Sequence, residues 1–320
     1  MINRFHSILG TVGQVKPFIL LILTVSLSAG LFAQKQKIYI LHTNNTNGAL
    51  ENCYCPDHPF GAVEKRTVFI EEFISNHPNT ILVDAGDILT ITHQSIKDSL
   101  MTEAYRLLPY DAILPGDHEL TLDADKINHL FNRINLNVVG TNILVEGVKN
   151  IIASRIVERN GIRIAILGIM DPYAISYYGP ELRGRIQLED PVEAVEEEML
   201  NLADQADIFV LLTHQGVDLD YAMAEKLDGI DVIVGAHSQS AMDNPKEVNG
   251  TLIVQAGKEG YFVGIAELII NGRDVVSKSG RIDTMKLPMP DDTRVMDLIH
   301  EYEQRTGRIN RQKLKLREKK

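Results

Sequence analysis

Cysteine is scarce in this chain. Of 320 residues only Cys53 and Cys55 carry a thiol, and one residue separates them. A pair so close cannot staple distant parts of a fold, so stability must come from an apolar core. Basic charge is also short: Lys and Arg total 32 against 43 Asp and Glu, a formal net charge of -11. That balance argues against nucleic acid as a partner, and the basic cluster Arg305 to Lys320 is too local to reverse it. Beyond the first segment no apolar run is long enough to cross a membrane. There is no internal repeat and no long linker. What is present is ordinary for a globular protein, with 44% hydrophobic and 23% charged residues. A chain of 320 residues holds one large α/β domain or two small ones. The lack of a linker favours one.

Arg4 and Lys16 precede an almost wholly apolar run from Pro17 to Phe32, and small residues follow at Ala33 or, earlier, at Ser28. This is the layout of a secretory signal over residues 1–33, and it predicts a periplasmic or secreted protein. An uncleaved signal would instead anchor the chain, but the run falls short of the about 20 residues of a bilayer span. No cysteine closely follows it, which disfavours a lipoprotein. Export places the chain in an oxidising compartment.

After Ala33 the pattern alternates strand, loop and helix. Ile38 to Leu41, Thr80 to Val83, Ala112 to Leu114, Val138-Val139, Ile151 to Ile156 and Ile162 to Leu167 read as strands. So do Ile208 to Leu212, Val232 to Val234, Thr251 to Val254 and Ile265 to Ile270. Helices are expected over Val63 to Ile74, Ser99 to Leu108 and Pro191 to Ala203, the last opened by Asp190 and Pro191. Asn160-Gly161 predicts a hairpin turn. The main domain spans residues 34–290. Residues 291–320 read as a charged C-terminal helix or tail, with apolar positions at Val295, Leu298 and Ile299.

Five short stretches share one property: each follows a strand, where open α/β sheets place their ligands. They are His42 to Gly48, Asp84 to Asp87, Gly116 to Glu119, Thr213 to Gly216 and Gly235 to Gln239. Asp87, Asp117, His214 and His237 together make an N/O donor set suited to Zn, Mn or Fe. A divalent ion so held can polarise a phosphoryl oxygen and activate water. His118, next to Asp117, is placed to protonate a leaving group or to steady developing charge. One such motif is worthless alone; five in order are a strong joint signal. His42, at the end of a strand, reads as packed rather than ligating.

In this order the motifs resemble the catalytic domain of the 5′-nucleotidase branch of the calcineurin-like metallophosphoesterases, over Lys37 to Asp274. The resemblance implies a four-layer αββα fold, two mixed sheets flanked by helices, with a two-metal site at one end. It implies hydrolysis of a small phosphate ester. It makes Asp87 the bridging aspartate. The second metal takes Asp87, His214 and His237, with Asp117 where the family has asparagine. The first metal takes Asp87 and Gln239, but its remaining aspartate and histidine fall on Asn45 and Asn47. The catalytic histidine falls on His118, and the aspartate that often orients it falls on Thr121. The family's nucleotidases hold the nucleoside on a further C-terminal domain. Nucleotide specificity is therefore not carried over to a chain that ends at Lys320.

These departures do not fall evenly. Asn45 and Asn47 strip the first metal, because amide oxygens are weak neutral ligands. Asp117 adds a carboxylate to the second. The expectation is a hydrolase with one divalent ion. Two other readings stand beside it. One is a catalytically inactive binding protein on the same fold, motivated by Asn45, Asn47 and Thr121. The other is a redox or sulfur-handling protein using Cys53 and Cys55, which sit on the loop leaving the depleted half-site and offer a thiolate pair for a soft metal. Against that pair stands a strained local disulfide or two free surface thiols.

Overall fold

The computed structural model describes residues 35–52, 60–134 and 137–309. The signal at 1–33, the Cys53 and Cys55 pair and the tail beyond 309 lie outside the described residues. Fifteen strands occur among the described residues. They are β1 (Gln36–Thr43), β2 (Thr80–Asp84), β3 (Ala112–Ile113), β4 (Val138–Val139), β5 (Ile143–Val145), β6 (Ile151–Ile152), β7 (Ser154–Arg159) and β8 (Ile162–Met170). Then come β9 (Ile186–Leu188), β10 (Ile208–His214), β11 (Val232–Gly235), β12 (Lys246–Val248), β13 (Thr251–Val254), β14 (Phe262–Asn271) and β15 (Asp274–Thr284).

Two sheets form the frame. One has the order β15-β14-β1-β2-β3-β4-β6, the other β12-β13-β11-β10-β8-β7, and β5 pairs with β9 apart from both. The first sheet is parallel from β1 to β6 and antiparallel at its β14 and β15 end, and the second has a parallel centre with antiparallel pairings at both edges, so both are mixed.

The side-chain alternation explains the layers. Ile38 and Ile40 of β1 meet Ile164 and Ile166 of β8 and Val232 and Val234 of β11 in one core between the sheets. The alternate residues point the other way. Leu41 and Leu82 pack under α1 (Val63–Asn76) and α2 (Ser95–Tyr105). Leu211 and Ile233 pack under the helices Pro191–Leu202 and Val217–Lys226. Strands covered on both faces read as continuous apolar runs rather than alternating ones, which is why they stood out in the sequence. The result is helix, sheet, sheet, helix: a mixed α/β fold with sheets flanked by helices.

Expected and observed elements differ in places. The run Ile151 to Ile156 is two strands, because the chain crosses at Ala153 from the first sheet to the second. α2 begins at Ser95, ahead of the expected Ser99. Thr293–Thr306 is a helix capped by Asp292, and its Val295 and Ile299 are buried in the same cluster as α2. The Asn160-Gly161 turn does join β7 to β8, with both residues at positive φ. No helix among the described residues is long and apolar enough to cross a membrane.

Candidate metal centre

The parallel strands deliver the site. β2 ends at Asp84, three residues before Asp87; β3 leads to Gly116 and Asp117; β10 ends on His214 itself; β11 ends two residues before His237. Asp87, Asp117, His214 and His237 each offer one donor atom, and those atoms all lie within 4.8 Å of one another. His214 Nε2 is 3.1 Å from Asp117 Oδ1 and 3.4 Å from Asp87 Oδ2, and His237 Nδ1 is 3.4 Å from Asp117 Oδ1. For metal–ligand bonds of about 2.1 Å, tetrahedral corners stand about 3.4 Å apart. The donor set therefore fits a small divalent ion. His214 Nδ1 donates to the carbonyl of Ala85 (2.9 Å), which leaves Nε2 facing the carboxylates.

Electrostatics agree with this geometry. Burial alone would lower His214, but the charges of Asp87 and Asp117 and their hydrogen bonds raise it well above the ordinary imidazole value. Burial alone would raise Asp117, but its bonds to His214 and His237 hold it far below the ordinary carboxylate value. A cation would compete with protons for these same lone pairs.

The depleted half is built differently. Asn45 Nδ2 donates to Asp87 Oδ2 (3.0 Å), while its Oδ1 accepts from His237 N (3.1 Å) and Asn44 Nδ2 (3.0 Å). Asn45 thus turns hydrogens, not an oxygen, toward Asp87. Asn47 Oδ1 is buried and has no hydrogen-bond partner among the described residues. Gln239 is exposed. Asn45, Asn47, Asp87, His237 and Gln239 all adopt positive φ. Left-handed non-glycine residues clustering in this way mark functional loops.

His118 is placed by the backbone. Its Nδ1 lies 2.9 Å from the carbonyl of Leu89, and its N–H donates to Asp87 Oδ1 (3.2 Å). Thr121, at the place of the family's orienting aspartate, bonds His93 Nε2 (3.2 Å) instead. The Leu89 carbonyl supplies the orientation.

Several supporting residues escaped the sequence reading. Glu119 accepts from the backbone N–H groups of Asp87 (3.0 Å), Leu89 (2.8 Å) and Gly116 (2.8 Å), tying together the loops that carry Asp87 and Asp117. Burial, then the charge of Asp87, pushes Glu119 up to about 7. Its three contacts are all donors and work in the opposite direction. Tyr178, from the segment after β8, donates its hydroxyl to Asp117 Oδ2 (2.5 Å). Asp220 accepts from Thr213 Oγ1 (2.6 Å) and Gln215 Nε2 (2.9 Å), bracketing His214 from below. Behind the Asn44 to Gly48 loop, Arg66 donates to Thr46 (2.8 Å) and lies over the Tyr105 ring, whose hydroxyl donates to Asp84 (2.9 Å). His42 is packed, as expected: fully buried, both ring nitrogens without hydrogen-bond partners among the described residues, its pKa lowered to about 3 by burial.

Comparison with known proteins supports the family resemblance. A metallophosphoesterase of Bacillus subtilis (strain 168), YunD, is 28% identical over 268 residues, covering 78% of this chain and 54% of its own length. A 5'-nucleotidase of Diplobatis ommata is 27% identical over 297 residues, covering 82% of this chain and 50% of its own. The chain thus spans about half the length of these curated relatives. The 5'-nucleotidase precursor of Thermus thermophilus superposes with a TM-score of 0.75 at 23% identity, over 85% of this chain and 59% of that one, a likeness of fold. The calcineurin-like phosphoesterase family matches residues 41–240, more than half of the 320 residues, and the chain belongs to that family.

Proposed function

We propose that this protein is a metal-dependent phosphoesterase that hydrolyses small phosphate esters outside the cytoplasm with one divalent ion, Zn, Mn or Fe. The carrying observation is the convergence of Asp87, Asp117, His214 and His237, whose donor atoms all lie within 4.8 Å of one another. The secretory layout of residues 1–33 supports the location. A bound ion would supply Lewis acidity toward a phosphoryl oxygen and activate water. The chain's own residues do the rest. Asp87, Asp117, His214 and His237 hold the ion. With Nδ1 of His118 committed to Leu89, Nε2 is the ring nitrogen available to give a proton to the leaving oxygen or to steady its charge. Glu119 keeps both loops in place through its backbone bonds.

The test combines elemental analysis with turnover. Purified protein should carry one ion per chain and hydrolyse a generic monoester or diester. His118→Ala should lower kcat by about 100-fold or more while retaining the ion. Silence on a broad ester panel with every one of the three metals would sink the catalytic reading. It would leave a binding protein on the same fold, the second reading, which the donor face that Asn45 turns to Asp87 favours.

A further inference from the structure

Asp117 has two oxygens with separate surroundings. Oδ1 faces both imidazoles, at 3.1 Å from His214 and 3.4 Å from His237. Oδ2 accepts the hydroxyl of Tyr178 at 2.5 Å, the length of a strong charge-assisted bond. Tyr178 reaches it from 61 residues away in sequence. It is half-buried, so the phenol stands at the rim of the site and closes one side of Asp117.

We infer that Tyr178 is a positioning residue that sets which metal the site selects. This rests on the one-ion reading above. The physical argument is one of denticity. While the phenol occupies Oδ2, Asp117 has one oxygen left for a cation. Asp87, Asp117, His214 and His237 then offer one donor atom each, the four-ligand N/O set that zinc accepts. If Oδ2 were free, Asp117 could offer both oxygens. Extra carboxylate oxygens favour ions with higher coordination numbers, manganese among them. The phenol also fixes the carboxylate plane. Partners of this kind behind a ligand are worth roughly 10-fold to 100-fold in metal affinity.

The experiment titrates metal-free wild type and Tyr178→Phe separately with zinc and with manganese, and reads dissociation constants by calorimetry. Thermal unfolding in chelator checks that both are folded; losing one hydroxyl from a half-buried ring leaves the packing intact. The expected result is a fall of about 10-fold or more in the preference for zinc over manganese. In an Asp117→Asn background, Tyr178→Phe should leave that preference unchanged, because the phenol no longer holds back a carboxylate oxygen. A merely structural role would weaken both ions alike, and that outcome overturns the inference. So does an effect of equal size in the Asp117→Asn background. One ion per wild-type chain with an unaltered preference in Tyr178→Phe refutes this inference alone. A wild type that takes up no ion refutes the one-ion reading with it.

Discussion

Gly116 lies against the candidate metal ligands Asp87 and His214 more tightly than a side chain would allow, and this yields a sharp test. The backbone there is ordinary, with φ -87 and ψ -177, so any residue could adopt it. Only space is at issue. A Cβ added at Gly116 would stand 2.3 Å from Asp87 Oδ1, 2.4 Å from Asp87 N and 2.8 Å from His214 Cε1. Comfortable non-bonded contact begins near about 3.5 Å, so the Asp87 oxygen must retreat by about 1 Å. The backbone nitrogen cannot follow, because it is held by Glu119 at 3.0 Å. Metal sites tolerate ligand displacements of about 0.2 Å. Gly116→Ala should therefore weaken zinc or manganese binding by about 100-fold or more. Overpacking should cost about 1–3 kcal/mol in stability. Calorimetric metal titration and thermal unfolding in chelator read the two effects separately. Gly179→Ala is the control: φ is -62 and nothing lies within 4 Å of the added carbon. If Gly116→Ala binds metal and melts as wild type does, Asp87 is not held against Gly116 as described, and the ligand set must be redrawn.

Two further predictions probe what stands around the ligands. In Asn45→Asp with Asn47→His, the donor that faces Asp87 at 3.0 Å becomes a second carboxylate; the variant should melt several degrees lower in chelator, recover with manganese or zinc, and take up a second ion, and a melting point blind to metal would contradict this. Burial raises Asp220 from 3.8 to about 7. The folded state therefore holds that proton more tightly, and the resulting stability is complete below about pH 4 and lost as pH rises through about 7. Asp220→Asn keeps an oxygen for Thr213 and Gln215 and should gain on wild type between pH 5 and 8, by up to about 4 kcal/mol; a difference between the two that stays flat over that range would refute the assignment.

The fold was legible wherever burial on both faces forced a continuous apolar run. Ile208 to Leu212, Val232 to Val234 and Thr251 to Val254 correspond to β10, β11 and β13. What a local pattern cannot carry is which sheet a strand joins. Ile151-Ile152 and Ser154–Arg159 lie one residue apart and belong to different sheets, a choice made by their partners β4 and β8. The helix Ala124–Ile134 went unread although Ile127, Leu130 and Phe131 carry helical spacing. Val217–Lys226 hid for a different reason: its buried face includes the carboxylate of Asp220, which reads as a solvent position.

The four candidate ligands were legible because a strand end followed by Asp or His is a local signal. Their supports were not. Glu119, Tyr178 and Asp220 are ordinary side chains until the fold decides what they face. The same limit applies to the depleted half-site. Composition could say that Asn45 and Asn47 are poor ligands, but an amide has two ends. Oδ1 of Asn45 is taken by the N–H of His237 and by Asn44, so its nitrogen must face Asp87. A neutral donor then stabilises the Asp87 carboxylate on the side where the family places its first cation. A cation there would have to break three hydrogen bonds and rotate a fully buried side chain, and each bond broken without replacement costs about 1–3 kcal/mol. On the Asp117 side the ligand atoms already point inward, and a cation would need to displace only the proton that His214 shares with Asp117 and Asp87. One ion at Asp87, Asp117, His214 and His237 is thus favoured by how each half is wired, as well as by which residues each half contains.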